Sequence, residues 1–303
     1  MENTKLGIID IDGLFYHSAR ETLEESIQTF KDKFQNILDK TSITHYIGFY
    51  SQGRYFRHNI FLDYKIGRVG RPVPKFMKAL KEWAIVEYGL QNMYLVEADD
   101  LTAFWINKNI CSYVAYPHNM EVHEGNSQYW NLVDKILITP DKDLLESIPG
   151  QHFNYTYKLT DKANAAKKAA KIANGIYEVK EEDVIKGWWI ETSEHTTNAF
   201  KNMQLIVGDS GDGIKGIEGK GAKYWERMES KGATRLDDVF WEYIENYGHA
   251  QGIFEFQKNY RLLHLLDCND DFVREIGEIP TFPNIVKVAQ PEESVDEKIE
   301  EKF

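Results

Sequence analysis

The sequence predicts an α/β protein with a mostly parallel central sheet flanked by helices. Two observations carry this. Short apolar stretches alternate with segments of helical spacing along the first half of the chain, the pattern of strands joined by helical crossovers. Three of the apolar stretches also stop at acids, placing polar residues where a parallel sheet gathers its ligands.

Residues 5–10 (KLGIID) form the first strand, and residues 14–38 carry apolar side chains at helical spacing. Residues 45–50 (HYIGFY) are the second strand. Residues 72–88 open on a proline suited to a first helical turn. Residues 92–97 (NMYLVE) read as a third strand followed directly by a helix over 99–106, and residues 112–116 are a less regular strand candidate. Residues 135–139 (KILIT) form another strand before Pro140-Asp141. Within 157–175, a helix capped by Thr160 or Asp161 and ended by Gly175 is expected. Trp188 and Trp189 read as core. The pattern over 222–266 is helical, with Trp225, Phe240, Trp241, Tyr243, Ile244, Phe254, Leu262, Leu263 and Leu266 as packing residues. Pro280 and Pro283 punctuate its end, and the acidic tail beyond Gln290 reads as mobile.

With 303 residues, 42% apolar and 28% charged, the chain can bury a sizeable core. No apolar run approaches the roughly 20 residues of a membrane span, and the first residues lack a signal-peptide pattern. Cys111 and Cys268, far apart and without metal-ligand neighbours in sequence, suggest buried thiols in a reducing compartment. The expectation is a cytoplasmic protein with no membrane partner. The net charge of −12 is unevenly spread. Setting aside the last fourteen residues, at −4, and nine candidate site acids leaves +1 for the rest, so a basic groove is compatible with the total.

Those nine acids are Asp10 and Asp12, Glu97, Asp99 and Asp100, Asp141 and Asp143, and Asp209 and Asp212. A lone acid at a strand end is usually a cap or turn residue. Acid groups after three strands that share one sheet edge point instead to a metal centre. With no histidine or cysteine among them, the donors suit Mg²⁺ or Mn²⁺, and their number suits two ions flanking a phosphodiester.

Residues 56–81 carry Arg57, Lys65, Arg68, Arg71, Lys75, Lys78 and Lys81 against the single acid Asp63, interleaved with Phe56, Phe61, Tyr64 and Phe76. That composition fits a surface that grips and stacks single-stranded nucleic acid. In residues 208–225 (GDSGDGIKGIEGKGAKYW), glycines recur every two or three residues and then open onto a helix, an arrangement that offers backbone N–H groups to phosphates.

In this order the motifs resemble the 5′ nuclease superfamily, the flap endonuclease and 5′→3′ exonuclease group that includes the N-terminal domain of bacterial DNA polymerase I and a phage ribonuclease H. The resemblance runs from residue 5 to about residue 266. The glycine stretch is similar to the family's GDSSDNIPGVPGIGPKTA pattern, VEADD (96–100) and TPDKDLLE (139–146) to its EADD and STDKDLLQ motifs, and FRH with DYKIGR (56–68) to the segment entering its arch.

The resemblance implies a PIN-like sheet domain over 1–190 with a helical arch near 52–82. It implies a helix–three-turn–helix region over 191–283 and a flexible acidic tail over 284–303. It implies two-metal hydrolysis of branched or nicked duplexes, 5′ flaps and RNA–DNA hybrids, serving removal of RNA primers and flaps in phage-type replication, hence in a host cytoplasm. Asp10, favoured over Asp12, and Glu97, Asp99, Asp100, Asp141, Asp143, Asp209 and Asp212 match metal positions, with Asp12 or a water standing in for the acid missing after the second strand. Asp10 and Asp141 with Lys65 and Arg68 carry catalysis, Lys65 at the scissile phosphate and Tyr64 as its stacking neighbour. Arg57, Tyr64, Lys65, Arg68, Arg71, Lys75, Lys78, Gly216, Gly219, Lys220, Gly221 and Lys223 hold DNA, with K⁺ at the glycine turns. A replication clamp or a single-strand-binding protein is a further partner class.

Three departures stand out. Phe49-Tyr50 replaces the family's Phe-Asp, Gly213 and Lys215 replace the Asn and Pro of DNIPG, and residues 110–134 and much of 150–200 do not align. A junction-binding protein with weak or lost catalysis, or a PIN-like ribonuclease, is the competing reading.

Overall fold

The computed structural model describes residues 4–108, 110–115, 119–124, 131–173, 176–281 and 283–288, with backbone alone for 110–115, 119–124 and 131–132. In chain order come β1 (Lys5–Asp10), α1 (Asp12–Ser18), α2 (Leu23–Thr41), β2 (His45–Phe49), α3 (Arg57–Ile60), α4 (Met77–Glu87) and α5 (Ala98–Asn107). Next are β3 (Ile110–Ala115), β4 (Asn119–Glu124), β5 (Asn131–Leu132), β6 (Asp134–Ile138), α6 (Lys142–Ser147), β7 (Gly150–Leu159), α7 (Asp161–Ile172) and β8 (Val184–Thr192). The chain continues through α8 (Glu194–Val207), β9 (Gly208–Asp209), β10 (Ile214–Lys215), α9 (Ala222–Ser230), α10 (Leu236–Tyr247), α11 (His249–Leu263), α12 (Asn269–Glu275) and β11 (Val286–Lys287).

The main sheet runs β11-β2-β1-β6-β7-β8. Its four inner strands are parallel, and an antiparallel strand closes each edge. Alternate residues of β1 point to opposite faces, as a strand requires. Ile9 joins Phe15, Phe30, Phe34 and Leu80 under α1, α2 and α4, while Leu6 and Ile8 join Phe104, Trp105 and Phe272 under α5 and α12. Because β1, β2 and β6 are parallel, their carboxyl ends share one edge, and the acids after β1 and β6 are delivered there.

Several expectations change in the folded chain. The helix expected over 14–38 is two helices. Ala19 is extended, and Thr22 caps the second helix by accepting from the Glu25 N–H. The helix expected from Pro72 begins at Met77, and of the strand expected over 112–116, residues 112–115 belong to an antiparallel hairpin with β4 outside the main sheet, residue 116 lying outside the described residues. Residues 92–97 form no strand. Gln91 exchanges two backbone bonds with the end of β2, but Leu95 then sits at φ 65, in the left-handed region that an extended strand cannot contain. Of the two candidate caps, Thr160 caps α7 by accepting from the Ala163 N–H; the expected Gly175 stop lies outside the described residues. Trp189, Trp241 and Phe254 are 39%, 57% and 59% exposed, not core. The chain re-enters the sheet at β11, inside the segment expected to be a flexible tail; residues 289–303 lie outside those described.

The helical region packs separately, with Leu205, Ile206, Trp225, Val239 and Tyr243 at its centre. Its glycine turns cross at close range. Gly208 has φ 82, and a Cβ on Gly216 would lie 2.1 Å from the Ile206 carbonyl oxygen, so neither position accepts a side chain without moving backbone. That crossing places Asp209 and Asp212 against the sheet's acidic edge.

Candidate metal centre

Asp10 ends β1 and is buried. One of its oxygens accepts from the Asp12 N–H at 3.1 Å, the other from Thr139 Oγ1 at 3.0 Å, and its carbonyl accepts from Tyr155 at 2.8 Å. Thr139 Oγ1 in turn accepts from the Asp141 N–H, so the ends of β1 and β6 share one hydroxyl. Asp141 caps α6, its side chain accepting from the Asp143 N–H at 2.7 Å. Asp143 accepts from Gln204 of α8 at 2.9 Å, which joins the sheet to the helical region. Asp209 folds over the Gly211 N–H, and Tyr64 donates towards both Glu97 (2.8 Å) and Asp212 (2.9 Å).

The electrostatics show what this assembly lacks. Burial, then Asp12 and Asp141, push Asp10 up to about 8. Burial, then Asp141, Asp209 and Asp212, push Asp143 up to about 7. Asp99 is raised well above its usual range by burial and by Glu97 and Asp100, and Asp141 is raised mainly by burial. These carboxylates lack compensating charge, which a divalent cation among all-oxygen donors would supply. The residues therefore fit ions of the magnesium class. Glu97 differs: against its burial, Lys65 and Arg57 hold it below the ordinary value. Lys65, itself left-handed at φ 57, bonds Glu97 and lies 3.5 Å from Asp212, while exposed Arg68 pairs with Asp212.

Glu97, Asp99 and Asp100 each bring a carboxylate oxygen within 4.8 Å of the others. Asp100 also has a second occupation. Both its oxygens accept from Arg57, at 2.6 and 2.8 Å, and one accepts from the Leu266 N–H. Arg57 completes its set with Glu97 and the carbonyls of Leu262 and His264.

The structure removes four residues from the expected DNA grip or changes their part in it. Arg57 is only 2% exposed and ties α3 to α5 and α11 instead of facing solvent. Tyr64 is buried, so its ring stacks no base; its hydroxyl bridges the acids. Lys220 turns inward to Glu242, which Tyr224 also holds. Gly216 serves the internal backbone crossing. Arg71, Lys75, Lys78 and Lys223 are exposed, as are Gly219 and Gly221 before α9, where added Cβ atoms would meet nothing within 4 Å. Cys268, expected buried, is exposed; the side chain of Cys111 lies outside what is described.

Tyr50, in place of an acid, is buried in the sheet core with its hydroxyl on Gln52. Asp12 occupies the neighbouring position at the end of β2, both its oxygens accepting from the Ser51 N–H at 3.1 Å, with Lys81 3.8 Å away. Thr139, Gln204, Ser51 and Tyr155 were not expected in the site. Only Thr139 lies in a quoted motif, as the first residue of TPDKDLLE.

No protein-family model matches the sequence, and no curated protein does. Solved structures do. A bacteriophage T5 flap endonuclease, in a pseudo-enzyme–product complex with DNA and metal ions, aligns with a TM-score of 0.57 at 16% identity, covering 90% of this chain and 94% of that one. A bacteriophage T5 protein co-crystallised with metal ions aligns at 0.53 and 17% identity, with the same coverage. A T5 5′-exonuclease with zinc bound aligns at 0.52 and 17%, covering 89% of this chain and 93% of that one. The acid-edged parallel sheet, the basic segment over Asp212 and the glycine crossing stand in the same chain order as the motifs, and this chain shares the fold of these T5 structures.

Proposed function

We propose that this chain is a divalent-metal-dependent, structure-specific 5′ nuclease with 5′→3′ exonuclease and flap endonuclease action. The observation that carries the reading is the convergence of acids from four separate segments on one sheet edge, with Lys65 and Arg68 held against Asp212. The similarity to a flap endonuclease crystallised with DNA and metal ions supports it.

Asp10, Asp12, Glu97, Asp99, Asp141, Asp143, Asp209 and Asp212 would hold two Mg²⁺ ions, with Mn²⁺ as a substitute. Asp100 would act from behind by fixing Arg57. Bound there, such ions supply Lewis-acid stabilisation for an attacking water and a leaving oxygen. Lys65 and Arg68 can exchange the Asp212 carboxylate for a phosphate oxygen of the strand to be cut. Exposed Arg71, Lys75, Lys78 and Lys223, with the open backbone at Gly219 and Gly221, would hold phosphates of branched or nicked duplex, 5′ flaps or RNA–DNA hybrids, with K⁺ at the glycine turns. Removal of primers and flaps in phage-type replication, inside a host cytoplasm and beside a clamp or single-strand-binding protein, suits that specificity.

The test is cleavage of a 5′-labelled flap and a 5′-labelled RNA–DNA hybrid by full-length protein with Mg²⁺. Cleavage of either, abolished by chelator, is expected. Substrates that are bound yet left uncut would sink the nuclease reading in favour of a junction-binding protein, and equal cutting of single strands would favour a PIN-like ribonuclease.

A further inference from the structure

A cavity of about 590 Å³ opens where α8 meets the turn before α10 and the end of α11. His195, Asn198, Asn202 and Leu205 recur along α8 at spacings of three and four residues, so one face of that helix forms a wall. Asn202 donates to the Thr234 carbonyl at 2.8 Å, which ties the turn before α10 to that wall. The volume falls within the range of small-molecule sites, about 300–1,000 Å³. We propose that this cavity binds a nucleoside monophosphate.

The charge of the lining points to an anion. Among the described residues, Lys201, Arg235, His195 and His264 line the cavity and no aspartate or glutamate does, in a chain with 48 acids against 36 lysines and arginines. A concave surface of one sign concentrates ligands of the other. Two acids pair with the lining cations: Asp267 lies 3.7 Å from Lys201, and Asp237 lies 3.4 Å from Arg235. Both members of the second pair are 80% exposed. An ion pair so open to water holds its partners loosely, and Arg235 can exchange it for a bidentate grip on a phosphate.

The rest of the lining suits a base and its sugar. The Tyr260 and His264 rings, stacked at 4.9 Å and 16°, both line the cavity and offer a third flat ring a surface to join. Leu236, 40% exposed, supplies apolar contact. Gln204 is the buried polar group of the wall. It is 8% exposed, its Nε2 donates to Asp143 at 2.9 Å, and its amide oxygen accepts from no described residue. Holding Asp143 accounts for the nitrogen of Gln204, not for an oxygen left without a donor on a side chain so deeply buried. Exposed Asn198 stands on the same wall. An amide presents a donor and an acceptor together, the pattern that reads the edge of a purine base. Inorganic phosphate would use the cations alone and leave these groups idle.

The site goes beyond the nuclease reading, and its test needs no cleavage. Chelated full-length protein, whose metal-free acidic edge repels anions, is titrated with dAMP, deoxyadenosine and inorganic phosphate by isothermal calorimetry. One dAMP per chain is expected, with deoxyadenosine and phosphate each binding at least about tenfold more weakly, since each forfeits part of the contacts. Asn198→Trp, which fills the cavity from an exposed position, and Arg235→Gln should each weaken dAMP binding at least about tenfold, with folding intact by circular dichroism. Lys168→Ala, an equal loss of charge at an exposed position on α7, should not. Overturning results are no dAMP binding at millimolar concentration, affinity unchanged in Asn198→Trp or in Arg235→Gln, or an equal loss in Lys168→Ala. Phosphate bound as tightly as dAMP would also overturn it, leaving an anion site and no nucleotide site.

Discussion

Arg57→Met tests whether the conspicuous arginine of the basic segment belongs to the fold or to the DNA surface. In the structure Arg57 makes five hydrogen bonds: two with Asp100, one with Glu97, and one each with the carbonyls of Leu262 and His264. Its side chain is 2% exposed, and those of Glu97 and Asp100 are 3% and 0% exposed. Removing the cation strands a buried carboxylate. Breaking one partner of such a pair costs about 3–5 kcal/mol. At roughly 2–4 °C per kcal/mol for a chain of this size, the midpoint should fall by roughly 6–20 °C. Glu97 keeps Lys65 and Tyr64, so the loss centres on Asp100. Adding Asp100→Leu should therefore recover much of the stability, because paired apolar replacements of buried ion pairs are often neutral. Thermal unfolding followed by circular dichroism reads this directly, alongside duplex binding at several salt concentrations. An unchanged midpoint with weakened, less salt-dependent duplex binding would refute the buried-pair reasoning and return Arg57 to the surface grip.

Asp10→Asn should raise the unfolding midpoint of chelated protein near pH 8 and abolish its rise on adding Mg²⁺. Asp10 goes from 3.8 to about 8 on folding, so the folded chain binds the extra proton. Its contribution to the stability of the metal-free protein is then fully present below the unfolded value and is lost as pH climbs through about 8; a wild-type midpoint that gains on that of Asp10→Asn as pH rises over that window would contradict this. Lys65→Ala should lower cleavage turnover by about 10²–10³-fold while leaving duplex affinity within a few-fold, as expected of a charge that matters most at the reacting phosphate; equal losses in both would mean its role is binding. Lys223→Ala should weaken duplex binding and reduce its salt slope by about 0.9, whereas Lys220→Ala, which breaks the Glu242 pair, should lower the unfolding midpoint and leave the slope unchanged. Fluorescence anisotropy across a salt series separates the two lysines.

Much of the site was legible because its signals are local. An acid directly after an apolar strand is visible in a few residues, and parallel pairing then brings Asp10 and Asp141 to one edge whatever surrounds them. Asp209, Asp212 and the glycines are similarly local, since a backbone crossing as tight as that of Gly208 and Gly216 demands glycine in the sequence itself. The segment 92–97 shows the limit of such reading. Its apolar pattern suits a strand, but one left-handed residue, Leu95, and a single pair of bonds to β2 decide otherwise.

The sequence by itself determined the α/β class, the acids and the glycine turns, because periodicity, strand ends and positive φ each leave a mark within a short window. Only the tertiary structure decided which cations face solvent and which are consumed internally. Arg57 and Lys220 look alike in sequence to Arg71 and Lys223, yet their partners, Asp100 and Glu242, stand 43 and 22 residues away. It likewise placed Asp12 at the strand end beside Tyr50, and brought His264 to Asp271 where a helix ends and another begins. Charge and donor type are properties of residues; what neutralises or coordinates them depends on distance in space, and that is set when the segments pack.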